Sequence, residues 1–306
     1  MNVDARISAL DKPALKSRLT GILPPVTMPF DAQSRLLPEA IAAQMEWTLA
    51  AGASGVVAGG STGEGHALSD GEFRDAMFAT AEAVDGRAPF VAGLIVNSTK
   101  EAIDRVKMLD GLKIDALQVT PVHYLFKPGA DATVRHFKTI WEETGIPILI
   151  YNVIPWNYLD INLMLRVMDE VPGVVGMKQS SGDLKSLSDL IQTCKPDNIV
   201  LTGIDALLYP GFALGADGAI SALTAALPGA TTKLFKLTRA GNHPEALELH
   251  RRLNTLWNAL RHDNLPACVK YIQHCQGLPM YAPRAPMEPV TAEQRTAIDA
   301  ALKGLI

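Results

Sequence analysis

The chain lacks the features typical of nucleic-acid-binding, membrane-spanning and disulfide-rich proteins. Its 28 Lys and Arg are outnumbered by 32 Asp and Glu, and no basic run occurs, so we expect no nucleic-acid partner. Apolar stretches are strand-sized and interrupted by Gly or Pro, too short to span a bilayer, so we expect no membrane partner. Three cysteines without metal-binding spacing, Cys194, Cys268 and Cys275, indicate buried free thiols. With charges throughout residues 1–20 and no apolar signal segment there, a cytoplasmic protein is expected.

Short apolar runs alternate with helical patterns along most of the chain. Most of these runs are almost continuously apolar, which is typical of parallel strands covered on both faces. Pro38 begins one of the intervening helical patterns, Thr99 is expected to cap another, and Asp183 a third. The predicted strands are 21–30, 55–60, 89–94, 116–121, 147–152, 174–179, 198–203 and 218–223.

Eight strand–helix repeats predict an α/β fold of the (β/α)8 TIM-barrel type. The alternative, a doubly wound open sheet, would normally have fewer strands and a glycine fingerprint after the first one. We expect residues 1–20 to form an N-terminal extension, 21–240 the barrel, and 241–306 a C-terminal helical extension. That extension contains helical patterns at 244–262 and 266–276. It could cover one side of the barrel or form a subunit interface.

Lys178 is a lone cation at the carboxyl end of the sixth run, where active sites of such barrels lie. A strand-end lysine either forms a salt bridge or is desolvated enough to lose its proton and attack a carbonyl. Tyr151 ends the fifth run and is either a packed aromatic or a proton shuttle beside the lysine.

The second run leads into a glycine-rich loop at 59–65 that contains Ser61 and Thr62. Its amides and hydroxyls could cradle a carboxylate or a phosphate, or the loop could simply be a tight turn with a helix N-cap. It is not a nucleotide-binding P-loop, because no Gly-Lys-Ser/Thr follows. Together with Lys178 and Tyr151, the loop favours Schiff-base chemistry on a 2-keto acid.

Three further ionisable residues, Glu64, His66 and Asp205, are placed at the same end of the barrel. Such residues are more often turn-stabilising or solvated groups than catalysts, and Asp205 could cap a helix that begins at Ala206. If one of the three is functional, we expect it to contact the polar tail of the substrate.

Five motifs in this order resemble the dihydrodipicolinate synthase / N-acetylneuraminate lyase family, over nearly the whole chain. They are Gly-Ser-Thr-Gly-Glu at 60–64, Val-Thr-Pro at 119–121, Tyr-Asn-Val at 151–153, Gly-Met-Lys at 176–178 and Gly-Ala-Ile-Ser at 218–221. The resemblance implies a TIM barrel of the class I aldolase type, assembled as a homotetramer that is a dimer of dimers. It also implies that the enzyme uses neither a metal ion nor an organic cofactor.

The resemblance assigns roles to individual residues. Lys178 would form an imine with pyruvate or a related 2-keto acid, and Tyr151 would relay protons with help from Thr62. The substrate would be held by Ser61, Thr62, Gly63 and the backbone of Ile220. The imine would act as an electron sink that stabilises carbanion character at C3, so that an aldol bond forms or breaks.

Trp156 departs from the synthase pattern. In that branch the loop after Tyr-Asn-Val carries an arginine that binds the carboxylate of the second substrate, whereas here no Arg or Lys occurs between Asn152 and Asp160. An indole cannot replace the two parallel hydrogen bonds of a guanidinium. We therefore expect neither aspartate semialdehyde as second substrate nor a true dihydrodipicolinate synthase. Trp156 would instead contact a flat or apolar part of the substrate, or pack within its loop.

The loop after Thr120-Pro121 also departs from the synthase branch, being longer by two residues. There, two tyrosines follow the proline, and one completes a proton relay across the subunit interface. Here Tyr124 or His123 could fill that position, or the loop could pack its aromatic residues against a neighbouring subunit.

The sequence thus predicts a lyase that performs aldol cleavage or condensation through Lys178. Two alternatives remain open. The same imine could support a 2-keto acid dehydratase or deaminase, or the chain could be a catalytically silent barrel that binds a small metabolite.

Overall fold

The computed structural model describes residues 10–122 and 124–306. Within these ranges, parallel strands form the centre of the molecule and helices surround them. The strands are β1 Gly21–Ile22, β2 Val56–Ala58, β3 Phe90–Leu94, β4 Ala116–Val119, β5 Ile148–Asn152, β6 Val174–Gln179, β7 Ile199–Thr202 and β8 Gly218–Ala219.

The eight described strands form a closed ring. Their order is β1-β8-β7-β6-β5-β4-β3-β2, and all seven neighbouring pairs are parallel. The segment after β1 joins β2, because Val26 N–H donates to Val57 O at 2.8 Å and Val57 N–H donates to Pro24 O at 3.1 Å. The predicted (β/α)8 barrel is confirmed, and the open-sheet alternative is wrong.

Two strands end at least four residues earlier than predicted. The first, predicted at 21–30, ends at residue 22 because Pro24 and Pro25 have no amide hydrogen to continue a ladder. The last, predicted at 218–223, ends at residue 219 because Ser221 becomes the N-cap of a helix, with a capping box to Thr224.

The helices follow the strands as the sequence pattern predicts. Asp183 caps its helix as expected, accepting a hydrogen bond from Ser186 N–H at 3.1 Å. The cap predicted at Thr99 is Ser98 instead, whose hydroxyl accepts from Glu101 N–H at 3.0 Å. The described helices are α1 Lys12–Leu19, α2 Ile41–Ala50, α3 Asp70–Val84, α4 Thr99–Lys107, α5 Ala130–Thr144, α6 Ile161–Glu170, α7 Leu184–Thr193, α8 Leu208–Leu214, α9 Ala222–Ala226, α10 Pro228–Arg239, α11 His243–Leu260, α12 Leu265–Cys275 and α13 Ala292–Leu302. Short 3-10 turns cover Pro38–Ala40, Gly65–Ala67, Pro155–Asn157 and Asp205–Leu207.

The barrel interior and the layer between strands and helices are separate apolar clusters. The interior is filled from the strands by Val57, Val91, Ala116, Leu149, Val175, Ile199 and Leu201. Outside the strands, Phe73, Met77, Phe137 and Trp141 pack between sheet and helices. Each fully buried side chain of this size stabilises the fold by about 1.5–3 kcal/mol, so both layers hold the strand ends in place.

The last three helices cover part of the barrel with a third apolar cluster, which includes Leu256 of α11, Ile272 of α12 and Ile298 of α13. α12 also carries two polar residues, Lys270 and Gln273, to buried positions. The three cysteines are free thiols as predicted, although only Cys268 is fully buried. No helix in the described part of the chain is both long and apolar enough to cross a membrane.

Candidate active site

Lys178 and Tyr151 lie side by side on β6 and β5, as paired residues of the strand register. The Nζ atom of Lys178 is 4.0 Å from the centre of the Tyr151 ring. Both side chains are buried, with 5% of Lys178 and 3% of Tyr151 exposed. Within the described residues Lys178 has no salt bridge and its amine donates no hydrogen bond, and the buried carboxylate of Asp205 interacts with it electrostatically.

Gly203 makes room for the lysine. A Cβ atom at Gly203 would lie 2.7 Å from Cε of Lys178 and 2.2 Å from Oγ of Ser180. Any side chain there would therefore displace Lys178 from its position. Sequence reasoning did not single out Gly203, although its place at the end of the strand next to β6 was a usable signal.

The loop at 59–65 folds back on itself and presents free amides. Glu64 N–H donates to Ser61 O and Gly65 N–H donates to Gly60 O, each at 3.0 Å. In the described chain, the amides of residues 61–63 have no hydrogen-bond partner. The loop is thus a tight turn that also has the donors of an anion cradle. The helix N-cap expected within it is wrong, because the helix that follows is capped by Ser69.

Ser61 connects this loop to β5, because its Oγ is 3.1 Å from the Tyr151 hydroxyl oxygen. Thr62, predicted to assist Tyr151, is half-buried on the same loop but makes no side-chain hydrogen bond within the described residues. Gly63 is required by close packing, because a Cβ there would lie 2.2 Å from Val26 O. The site therefore connects Lys178, Tyr151 and the loop in one continuous group.

Glu64 points away from this group and into the protein. Its carboxylate pairs with Lys270 of α12 at 2.5 Å, and both side chains are 1% exposed. It also accepts a hydrogen bond from Arg284 N–H at 2.8 Å. Burial lowers the pKa of Lys270, and the nearby Glu64 charge opposes that shift. The expectation of a solvated group is wrong for Glu64, whereas His66 is solvent-exposed.

Asp205 is buried and holds a different helix from the one predicted. Its carboxylate accepts a hydrogen bond from Leu223 N–H at 2.6 Å, in the first turn of α9. The cap predicted for a helix at Ala206 is therefore wrong, because the side chain reaches across to the segment after β8. Burial raises the pKa of Asp205. Ile220, in that same segment, lies in the barrel interior, and its N–H donates to Thr202 O at 3.1 Å.

The loops after β4 and β5 are tied together at the rim of the barrel. Asn152 accepts a hydrogen bond from Leu159 N–H at 2.9 Å, which fixes the loop that carries Trp156. Asn157 Nδ2 donates to Val122 O at 2.7 Å, so this loop lies against the one after β4.

Large apolar side chains are exposed on both of these loops. Trp156 is 62% exposed, and Tyr124, Leu125 and Phe126 are also largely exposed. His123, the other candidate for the relay, lies outside the described residues. Among the described residues no three His, Cys, Asp or Glu side chains lie together as metal ligands would.

Comparison with known proteins identifies the family. Residues 18–305 match the profile of the Dihydrodipicolinate synthetase family. The chain belongs to this family. The dihydrodipicolinate synthetase family consists of lyases of the class I aldolase type, which agrees with the predicted enzyme class.

Curated relatives are similar over almost their full length. A 4-hydroxy-tetrahydrodipicolinate synthase from Mesorhizobium japonicum is 35% identical over 295 residues, covering 94% of this chain and 99% of the relative. The 4-hydroxy-tetrahydrodipicolinate synthase 1 of Halalkalibacterium halodurans is 31% identical over 285 residues, covering 92% and 95%.

Solved structures of the dihydrodipicolinate synthetase family superpose closely on the chain. A putative dihydrodipicolinate synthetase from Pseudomonas aeruginosa has a TM-score of 0.89 at 26% identity, covering 94% of this chain and all of its own. YagE, an E. coli prophage protein of the same family solved in complex with pyruvate, has a TM-score of 0.88 at 26% identity, covering 94% and 98%.

Proposed function

We propose that this lyase forms an imine between Lys178 and pyruvate or a related 2-keto acid, and then makes or breaks an aldol bond. The observation that carries the proposal is a buried lysine without an ion-pair partner, whose Nζ lies 4.0 Å from the centre of the Tyr151 ring. The hydroxyl of Tyr151 is in turn within hydrogen-bond distance of Ser61 in the loop. The pyruvate bound to the related E. coli protein supports a keto acid as the first substrate.

The loop at 61–63 binds the carboxylate of the keto acid in this proposal. Three backbone amides there are free to donate, and the hydroxyls of Ser61 and Thr62 add two more donors. The backbone of Ile220, in the barrel interior, also contacts the bound acid. This arrangement directs the keto carbon towards Lys178.

The lysine amine attacks C2 of the keto acid, and the carbinolamine loses water to give the imine. Tyr151 relays protons during this step, through the contact with Ser61 and assisted by Thr62. Loss of a proton from C3 gives an enamine, whose C3 forms a bond to the carbonyl carbon of an aldehyde. Cleavage is the reverse, and the electron pair of the broken bond is held by the imine.

The second substrate in this proposal has a flat or apolar part rather than a carboxylate bound by arginine. Trp156 occupies the exposed loop beside the site, and the loop contains no cation. The synthase name of the curated relatives therefore does not transfer to the aldehyde partner. Consumption assays with aldehydes and sugar keto acids test this, and turnover restricted to aspartate semialdehyde contradicts it.

We further propose that the chain forms a homotetramer in which neighbouring copies cover Tyr124, Leu125 and Phe126. These side chains are consecutive in the chain and largely exposed, which is typical of a surface that a protein partner covers. Tyr124 or His123 could then reach a neighbouring site as a proton relay. Sedimentation velocity measures the assembly, and a monomer at micromolar concentration contradicts it.

Borohydride trapping tests the imine. Wild-type protein treated with pyruvate and borohydride should gain the mass of one reduced pyruvate, located at Lys178 by peptide mapping. Lys178→Ala should remain folded, gain no mass and lose turnover. The matched control is Lys185→Ala, which removes an exposed lysine and should retain both the pyruvate adduct and turnover. Absence of a wild-type adduct over a wide pyruvate range refutes the proposal.

A further inference from the structure

Gln118 lies inside the barrel at the level where the active site begins. It stands two residues after Ala116 on β4, and Ala116 belongs to the interior cluster. Because side chains alternate along a strand, Gln118 faces the same interior. Its register partners are Gly93 on β3 and Leu149 on β5, and the side chain is 0% exposed.

The side-chain amide of Gln118 is unpaired among the residues that the structure describes. Neither Nε2 nor Oε1 is bonded to any described residue. The nearby hydroxyl of Thr120 is directed elsewhere, towards Leu94 O at 3.4 Å. In contrast, the buried Gln273 donates to Ala225 O at 3.0 Å and accepts from Thr27 Oγ1 at 2.8 Å. An unpaired buried amide destabilises the free protein, so we expect a bound ligand to supply its hydrogen-bond partner.

The position of the amide indicates which partner that is. A Cβ atom at Gly60 would lie 3.7 Å from Nε2 of Gln118, so the amide lies beside the residue that opens the anion cradle. On its β3 side the register neighbour is Gly93, which has no side chain to intervene. A small acid held at residues 61–63 would therefore lie beside this amide and offer it an acceptor.

We propose that Nε2 of Gln118 donates a hydrogen bond to the carboxylate of the bound 2-keto acid, which makes Gln118 a substrate-binding residue. This inference rests on the function proposed above. A neutral amide donor adds to the three backbone amides without introducing a charge that would compete with Lys178. Gln118 contributes to binding of the first substrate and not to selection of the aldehyde.

Gln118→Met tests the inference because methionine fills a similar volume without a donor. The pyruvate concentration that gives half-maximal borohydride trapping should rise about tenfold, as expected for loss of a hydrogen bond to a charged group. KM for pyruvate should rise in parallel, with kcat and the KM of the aldehyde nearly unchanged. Gln118→Glu should weaken trapping further, because two carboxylates then face each other. The melting temperature of Gln118→Met without pyruvate should equal or exceed that of wild type.

The matched control is Gln273→Met, which removes a buried amide that is already paired. It should lower the melting temperature and leave half-maximal trapping unchanged. Unchanged half-maximal trapping in Gln118→Met overturns the inference, as does an effect confined to the aldehyde. A fall in its melting temperature without a change in trapping assigns Gln118 a structural role and also overturns it. Absence of an adduct in wild type is a different result, and it refutes the imine itself.

Discussion

Lys270→Met should destabilise the protein strongly although residue 270 lies far from Lys178 in the sequence and on a C-terminal helix. The substitution leaves the carboxylate of Glu64 buried, with its ammonium partner removed. Removing one partner of a buried pair usually reduces the free energy of unfolding by about 3–5 kcal/mol. Glu64 keeps the hydrogen bond from Arg284 N–H, which favours the lower end of that range. Ala282 O loses its bond from Lys270 at 2.8 Å, which adds about 1 kcal/mol.

The expected loss is therefore about 3–4 kcal/mol, measured by urea denaturation at one fixed protein concentration. Adding Glu64→Gln to Lys270→Met removes the unpaired charge and should recover part of the loss. Lys185→Met breaks an exposed pair of the same type and should cost less than about 1 kcal/mol. Because Glu64 directly follows Gly63 in the cradle, Lys270→Met should also raise the pyruvate concentration needed for trapping.

Two results would refute this reasoning. A loss below about 1 kcal/mol in Lys270→Met would mean that the pair is not desolvated. A double variant less stable than Lys270→Met alone would mean that the Glu64 charge is not the source of the loss.

Three further predictions concern single residues. Tyr151→Phe should lower kcat by about 10²–10⁴-fold while stability stays near that of wild type, measured by steady-state kinetics and thermal unfolding; an unchanged kcat contradicts the proton relay. Gly63→Ala should destabilise the protein and weaken pyruvate trapping, since the added Cβ would lie 2.2 Å from Val26 O; retention of both contradicts the close packing. Burial lowers the pKa of His136 from 6.5 to about 4, because the buried ring is stable only when neutral. The free energy of unfolding therefore has its full value above pH 6.5 and decreases as the pH falls towards 4. That loss is at most about 3–4 kcal/mol in urea titrations, since one pKa unit is worth about 1.4 kcal/mol, and His136→Gln should flatten the pH dependence; an identical slope in the variant would contradict it.

The local sequence pattern was sufficient to predict a strand where no proline interrupts the apolar run. The run 174–179 was predicted with the boundaries observed, because six buried residues between turn signals leave little alternative to a covered parallel strand. The pattern failed at the first strand, where Pro24 and Pro25 end the ladder although the apolar run continues. It also failed at Asp205, because the helix that this carboxylate caps comes from a later part of the chain.

The sequence by itself determined the barrel, the position of Lys178 at a strand end, and the family motifs, because each depends on neighbours within a few residues or on order along the chain. Only the tertiary structure decided which side chains contact each other. Glu64 and Lys270 are 206 residues apart in the chain, and Ser61 and Tyr151 are 90 apart. Periodicity places a residue on a face of its own element but does not specify which residue of another element it meets. The unpaired amide of Gln118 and the space for Lys178 at Gly203 therefore became visible only once the strands were packed side by side.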